Sequence, residues 1–105
     1  MDALNDPVLA RLRAALDKAY GACVERVVLF GSRARGDAGP DSDYDIAVFL
    51  TKPDSFWTES GRLAEIETDI LFETGAVINA LPFAAEASKA LDPLMREIER
   101  DGRAL

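Results

Sequence analysis

The chain has 105 residues, with 12 basic and 19 acidic side chains and a formal net charge of −7. This length suits one domain with a single core, so we expect residues 1–105 to form one unit without a separate substrate-binding domain. The acidic balance opposes binding to free nucleic acid. The absence of histidine excludes histidine-based acid–base catalysis and histidine metal ligands.

The sequence predicts a cytoplasmic protein without a membrane segment. The N-terminus lacks the cationic start and long apolar core of a signal peptide, and no apolar stretch approaches membrane-spanning length. Cys23 is the only cysteine, so it cannot form an internal disulfide. Its neighbours Ala22 and Val24 predict a buried thiol in the core.

The first third of the chain predicts a helix, a strand and a short second helix. Asp6-Pro7 is a typical helix start, and Gly21 is a typical stop. The apolar stripe between them consists of Val8, Leu9, Leu12, Leu16 and Ala19 or Tyr20. A strand follows at about residues 26–30, and a short helix at residues 32–35.

The rest of the chain predicts two further strands and two further helices. The second strand covers about residues 44–50, a long helix follows residues 53–55 to about Glu73, and a third strand covers residues 76–81 before Pro82. The last segment is helical, with Pro93 near its start or at a break and an apolar stripe of Leu91, Leu94, Met95 and Ile98. This order predicts a two-layer α/β (α+β) fold, a small mixed sheet with helices on one face and the other face left for chemistry.

The turn at Gly31-Ser32 is a candidate anion site. It follows the apolar run of residues 27–30, and Ser32 is placed to cap the helical turn. Unpaired N–H groups at a helix start favour an anion, and Gly31 has no side chain to keep a phosphate away. Arg33 and Arg35 add positive charge nearby, although both could be surface charges that balance neighbouring acids, and the turn could be an ordinary strand-to-helix connection.

Asp43 and Asp45 are candidate metal ligands. They lie two apart at the start of a strand, so they should project from the same face. Two close carboxylates repel each other unless they share a proton or a cation, and such oxygen ligands suit Mg²⁺. Asp residues are also common where strands begin, but that alternative does not explain why an apolar run follows Asp45 directly. Asp41 has the same parity and is expected to be solvated.

The segment GSRARGD (residues 31–37) followed by SDYD (residues 42–45) resembles the minimal nucleotidyltransferase group of the DNA polymerase β-like nucleotidyltransferase superfamily. The resemblance extends over most of the chain. It implies an ATP-binding, Mg²⁺-dependent enzyme that transfers AMP to a hydroxyl, with Gly31, Ser32 and Arg35 at the nucleotide and Asp43 and Asp45 on the metal. Many members of the group are antitoxins, so the resemblance also implies a HEPN toxin as partner and acceptor.

Asn79 is the main departure from the family pattern. The resemblance places a third catalytic carboxylate in residues 77–82, where this chain has Asn79. An amide oxygen coordinates Mg²⁺ weakly and cannot act as a base near neutral pH. The competing prediction is therefore a binding module that inhibits its partner by direct contact. The nearby acids Asp69 and Glu73 fit the solvated side of the long helix instead.

Trp57 lies in the first turn of the long helix, and we expect it in the core or on a partner surface in preference to stacking on adenine. A third alternative is a small-molecule transferase, but such enzymes usually carry an additional helical domain, which we do not expect in 105 residues. The sequence leaves the identity of the partner open, and it also leaves a homo-oligomer open.

Overall fold

The computed structural model describes residues 5–89 and 92–105. The helices are α1 (Pro7–Tyr20), α2 (Ser32–Arg35), α3 (Phe56–Thr74) and α4 (Pro93–Asp101). The strands are β1 (Val24–Phe30), β2 (Tyr44–Leu50), β3 (Ile78–Ala84) and β4 (Arg103–Ala104). Short 3₁₀ turns at Gly21–Cys23 and Ala85–Lys89 follow α1 and β3.

The strands form one mixed sheet in the order β3-β2-β1-β4. β1 is antiparallel to β2 and to β4, whereas β2 and β3 are parallel. A parallel pair needs a long crossover connection, which the 19 residues of α3 supply. As a result, the end of β1 meets the starts of β2 and β3 at one end of the sheet. The mixed sheet confirms the predicted fold class.

The helices begin and end at residues suited to capping. The Asp6 carboxylate accepts from the Val8 N–H at 2.8 Å, and the Ser55 hydroxyl accepts from the Thr58 N–H at 3.1 Å. Gly75 ends α3 in the left-handed conformation, with φ of 78°. None of the helices in the described part of the chain has both the length and the apolar character to cross a membrane.

Two helices, α1 and α3, cover one face of the sheet. Leu12, Leu16 and Ile70 are fully buried there. Their partners alternate along the strands, as a period of two requires: Val27, Leu29, Ile46, Val48 and Leu50. Each such side chain stabilises the fold by about 1.5–3 kcal/mol relative to an exposed one. This layer is the larger of the two buried clusters.

The short helix α4 packs on part of the opposite face, which is an addition to the predicted layers. Met95 and Ile98 are buried there against a second set of alternating strand residues: Val28, Phe30, Ala47 and Phe49. The Phe49 ring also stacks on Phe83, with 5.4 Å between ring centroids. Asp43 and Asn79, at the end of the sheet, remain exposed.

The prediction that the third strand ends at Leu81 is wrong, because β3 runs through Pro82 to Ala84. The Ala80 N–H, on the outer edge of β3, bonds a Glu67 carboxylate oxygen at 2.8 Å instead of another strand. Residues two apart share an edge, so Pro82 also turns its nitrogen outward, where no ladder hydrogen bond is lost. The two-residue strand β4 was not predicted.

The predicted burial of Cys23 is also wrong. The residue lies in the 3₁₀ turn that precedes β1, and its side chain is exposed. Apolar sequence neighbours gave the wrong signal because the turn places the residue before the sheet begins. Leu91, part of the predicted apolar stripe of the last helix, lies outside the described residues.

Candidate functional site

The three strands that meet at one end of the sheet bring three polar side chains together. In the pairing of β1 with β2, Phe30 lies opposite Asp45, and in the parallel pair Asp45 lies beside Asn79. Neighbouring strands are about 4.8 Å apart, so Asp45 and Asn79 are adjacent across the sheet. Ile78 and Ile46 point into the α1–α3 core, so Asp45 and Asn79 face the opposite side.

Asp43 joins this pair from the turn just before β2. The Asn79 Nδ2 donates a hydrogen bond to Asp43 Oδ2 at 3.1 Å. Asp43 and Asn79 are exposed, and Asp45 is half-buried. Asp41 is exposed in the preceding turn, as expected from its position. The structure therefore gathers two carboxylates and one amide at a solvent-accessible end of the sheet.

The turn at Gly31 approaches Asp45 so closely that no side chain fits between them. A Cβ atom on Gly31 would overlap the Asp45 Oδ2 atom. Gly31 also has φ of 73° and ψ of −157°, a combination that other residues rarely adopt. Because Gly31 has no side chain, the Asp45 carboxylate can lie directly against the turn. The glycine also leaves room beside the turn.

Ser32 does not act as the helix cap that the sequence predicted. The cap position is Gly31, whose carbonyl accepts from the N–H groups of Ala34 and Arg35 at 3.1 Å. The half-buried Ser32 makes no side-chain capping hydrogen bond. Its hydroxyl is therefore not used to hold α2 together.

Arg33 lies on the other side of β2 from the carboxylates. Its Nε donates to the Ser42 carbonyl at 2.8 Å and its Nη2 to the Pro40 carbonyl at 3.1 Å, while its guanidinium lies 3.9 Å from the Tyr44 ring centroid. These contacts give Arg33 a structural role that the sequence did not predict. Arg33 holds the turn from which Asp43 projects.

Tyr44 anchors the same turn to the start of α1. Its hydroxyl donates to Asp6 Oδ2 at 2.8 Å. Burial, followed by this hydrogen bond, raises the pKa of Tyr44, so its ring stays neutral under Arg33. Sequence reasoning missed this pair, and the only available signal was the position of Tyr44 between two acids at the strand start.

Arg35 is the second arginine of the turn, and it links α2 to α4. Its Nε donates to Asp37 at 3.3 Å and its Nη1 to Glu97 at 3.2 Å. About 40% of the side chain is exposed, so solvent screens both ion pairs. These contacts fit the alternative in which Arg35 balances neighbouring acids and shapes the loop.

The electrostatics of the gathered residues suit a divalent cation. Within residues 5–89 and 92–105, no ion pair involves Asp43 or Asp45. Two uncompensated carboxylates and an amide are oxygen donors of the kind that Mg²⁺ takes while it carries substrate phosphates. No three acids, histidines or cysteines cluster as a ligand set in that described part of the chain, so the donors gathered here are two carboxylates and one amide.

The carboxylates lie at the end of the sheet, where Asp43 is exposed and Asp45 is half-buried. A cleft of about 530 Å³ lies instead beside Arg33 and Tyr44, lined also by Leu9, Leu29 and Arg103. It does not include Asp43, Asp45 or Asn79. At the end of the sheet, Asp43 and Asn79 are accessible to solvent.

The sequence matches a known family over nearly its whole length. A family model described as a nucleotidyltransferase domain matches residues 9–103. No curated protein matches the sequence significantly.

Solved structures share the fold. A toxin–antitoxin complex crystallised with AMP-PNP is similar over 90% of this chain and 69% of its own, with a TM-score of 0.67 and 17% identity. A variant of the toxin–antitoxin complex MntA–HpeT is similar over 92% of this chain and 70% of its own, with a TM-score of 0.65 and 18% identity. A protein described as a candidate minimal nucleotidyltransferase is similar over 100% of this chain and 97% of its own, with a TM-score of 0.63 and 25% identity.

Proposed function

Because this chain belongs to the nucleotidyltransferase domain family, we propose that it transfers AMP from ATP to a hydroxyl group in a Mg²⁺-dependent reaction. The observation that supports this proposal is the convergence of Asp43, Asp45 and Asn79 beside the Gly31 turn. Nucleotidyl transfer needs oxygen ligands for a cation and donors for a triphosphate, and this end of the sheet offers both.

Each residue of the site has a role in the proposed reaction. Asp43 and Asp45 hold Mg²⁺, which when bound neutralises negative charge on the phosphates and the leaving pyrophosphate. The Ser32 hydroxyl and the first N–H groups of α2, which have no acceptor within the helix, bind the triphosphate. Arg35 shapes the loop through Asp37 and Glu97. Gly31 lets Asp45 come close to the turn.

The proposed acceptor is a hydroxyl on a partner protein, a toxin of the HEPN family. The resemblance of the motif to minimal nucleotidyltransferases supports this, and two of the similar structures are toxin–antitoxin complexes. The exposure of Asp43 and Asn79 suits an acceptor carried by a macromolecule. AMP transfer to the toxin silences it, which makes this chain the antitoxin.

The matched variants Asp43→Asn and Asp41→Asn test the metal and nucleotide roles. Each removes one negative charge from the same turn, but only Asp43 contacts Asn79. We expect Asp43→Asn to weaken Mg·ATP binding about tenfold or more in calorimetric titration, and Asp41→Asn to bind like the parent. Thermal melts check that both variants fold. Equal Mg·ATP affinity in parent and Asp43→Asn would overturn the proposed site.

A second candidate function, inhibition by direct contact, is favoured by one observation. The Asn79 amide nitrogen faces Asp43, so the position next to the two carboxylates supplies a donor where a proton acceptor is needed. In this alternative the fold binds and blocks its partner without efficient transfer.

The variant Asn79→Asp separates the two candidates. A third carboxylate beside Asp43 and Asp45 adds charge for Mg²⁺ and a possible proton acceptor, so Mg²⁺ affinity and AMP transfer should both rise. Transfer is measured by mass spectrometry of the partner after incubation with ATP. If the variant binds Mg·ATP more tightly but transfers nothing to a partner that it binds, the direct-contact function is the correct one.

A further inference from the structure

One face of α3 points away from the sheet and carries uncharged, mostly apolar or small residues. Its exposed residues are Trp57, Gly61, Ala64, Thr68, Leu71 and Phe72. At 3.6 residues per turn these positions fall within about 100° of one another, opposite the buried residues Leu63 and Ile70. We call this surface the α3 stripe, and it extends over about four turns, or roughly 22 Å.

The α3 stripe is low in the middle and high at its ends. Trp57 is 82% exposed at one end and Phe72 is 84% exposed at the other. Small side chains lie between them, and a depression of about 150 Å³ opens beside these toward β3. The depression is lined by Ala64, Glu67, Thr68, Leu71, Val77 and Ile78. This shape accepts a helix whose apolar side chains project into the depression.

No contact or backbone angle within the described structure explains why residue 61 is a glycine. A Cβ atom at this position would meet nothing within 4 Å, and its φ is not positive. Glycine inside an exposed helix costs about 1 kcal/mol relative to alanine. Glycine at this position leaves room for another backbone to approach the α3 stripe one turn from Trp57.

The charge beside the α3 stripe indicates whether it binds a second copy of this chain or a different protein. Glu65 and Asp69 are exposed along one border of the α3 stripe, and within the described residues neither forms a direct ion pair, although Arg11 is near enough to Asp69 for an electrostatic attraction. A second copy crossing antiparallel would bring like charges together at the centre, and each chain carries a net charge of −7. A basic partner protein, in contrast, is attracted by the acidic residues along this border.

We propose that the α3 stripe binds an amphipathic helix of a different protein, whose apolar positions are flanked by lysine or arginine. The α3 stripe and the carboxylates lie on opposite sides of the sheet, so a docked helix leaves Asp43 and Asp45 accessible. The proposal goes beyond nucleotidyl transfer because it requires neither ATP nor Mg²⁺. Its failure would leave the proposed enzyme activity unaffected.

Trp57 provides the measurement, because it is the only tryptophan of the chain and lies within the α3 stripe. The probe is a helical leucine–lysine peptide of about 18 residues, or five turns, compared with a twin in which glutamate replaces lysine. We expect the lysine peptide to shift Trp57 emission to shorter wavelength in a saturable titration of the full chain. The glutamate twin should bind about tenfold more weakly or less.

Matched variants show whether the α3 stripe is the surface that binds. Ala64 and Ala14 are both exposed helical alanines, but Ala14 lies on α1 outside the stripe. Ala64→Gln should weaken the lysine peptide about tenfold, and Ala14→Gln should bind it like the parent. Gly61→Ala should raise the melting temperature of the free protein while it weakens the peptide, a combination that a purely structural glycine would not produce.

Three results would overturn the proposal. The first is unchanged Trp57 emission in the presence of the lysine peptide. The second is equal peptide affinity in Ala64→Gln and the parent. The third is an emission shift that appears on raising the protein concentration alone, with dimers in sedimentation equilibrium, because this would assign the α3 stripe to a second copy of the chain.

Discussion

Gly31 keeps a carboxylate in place by having no side chain. Its backbone angles are of a kind that is nearly restricted to glycine, and a Cβ atom would displace Asp45 Oδ2. Gly36, five residues later, also has positive φ, at 83°, but a Cβ atom there would meet nothing within 4 Å. Substitutions at the two glycines therefore allow the effect of backbone strain to be separated from the effect of contact with the carboxylate.

Gly31→Ala should lower thermal stability and also abolish Mg·ATP binding, since the methyl group pushes Asp45 out of line with Asp43. Gly36→Ala should lower stability by about 1 kcal/mol and leave Mg·ATP binding intact. Thermal melts and calorimetric titration of both variants measure the two effects separately. Retention of parent-like Mg·ATP affinity in a folded Gly31→Ala protein would contradict the role given to Asp45.

At the scale of secondary-structure elements, Glu59 connects α3 to α1 and to the loop before α3. Only 3% of it is exposed, and its carboxylate accepts from the Tyr20 hydroxyl at 3.0 Å, from the Asp54 N–H at 2.8 Å and from Arg62 at 3.1 Å. A buried charge is tolerated when its oxygens have partners such as these. The network fixes how the two long helices meet.

Tyr20→Phe tests this network through its pH dependence. Burial, followed by the hydrogen bond to Glu59, raises the pKa of Tyr20 to about 12. An unfolded tyrosine titrates near 10, so the stabilisation is complete below about pH 10 and is lost as the pH rises toward 12. The variant should lose about 1 kcal/mol at neutral pH and show a shallower alkaline decline.

Denaturant unfolding of the parent and Tyr20→Phe at several alkaline pH values provides this comparison. Some alkaline decline should remain in the variant, because burial also raises the pKa of Tyr44. Identical slopes in the two proteins would show that Tyr20 is not the group that titrates.

At the scale of the whole molecule, both edges of the sheet are protected from pairing with another chain. β4 closes one edge with only two residues. On the other edge, Glu67 occupies the Ala80 N–H, and Pro82 has no N–H to offer. Short edge strands, inward-bonded carboxylates and proline are means by which proteins avoid edge-to-edge association.

The double variant Glu67→Ala with Pro82→Val should therefore self-associate through β3, because it frees one N–H and creates another on the same edge. Light scattering against protein concentration measures the mass, with Glu65→Ala as a control on the exposed side of the same helix. A double variant that keeps the mass of the parent would show that this edge is protected by something else.

The sequence predicts structural features that depend on the local residue pattern. It does not predict features that depend on how distant segments of the chain come together. The spacing of two residues at the start of β2 is enough to predict that Asp43 and Asp45 project together, and the Asp6-Pro7 start of α1 is likewise local. The role of Arg33 was not predictable, since its partners are carbonyls of a turn that folds back. Pro82 was misinterpreted as a strand end because the sequence does not reveal that β3 is an edge.

The exposed thiol of Cys23 has a practical consequence for any measurement on this protein. It lies about seven residues before the end of β1, or roughly 23 Å from the carboxylates, and on the surface. In air two such thiols can join, so an unreduced sample would contain a covalent dimer that imitates a native assembly. In reducing buffer the same thiol accepts a single dye at a known position, far enough from Asp43 and Asp45 to leave the proposed nucleotide site undisturbed.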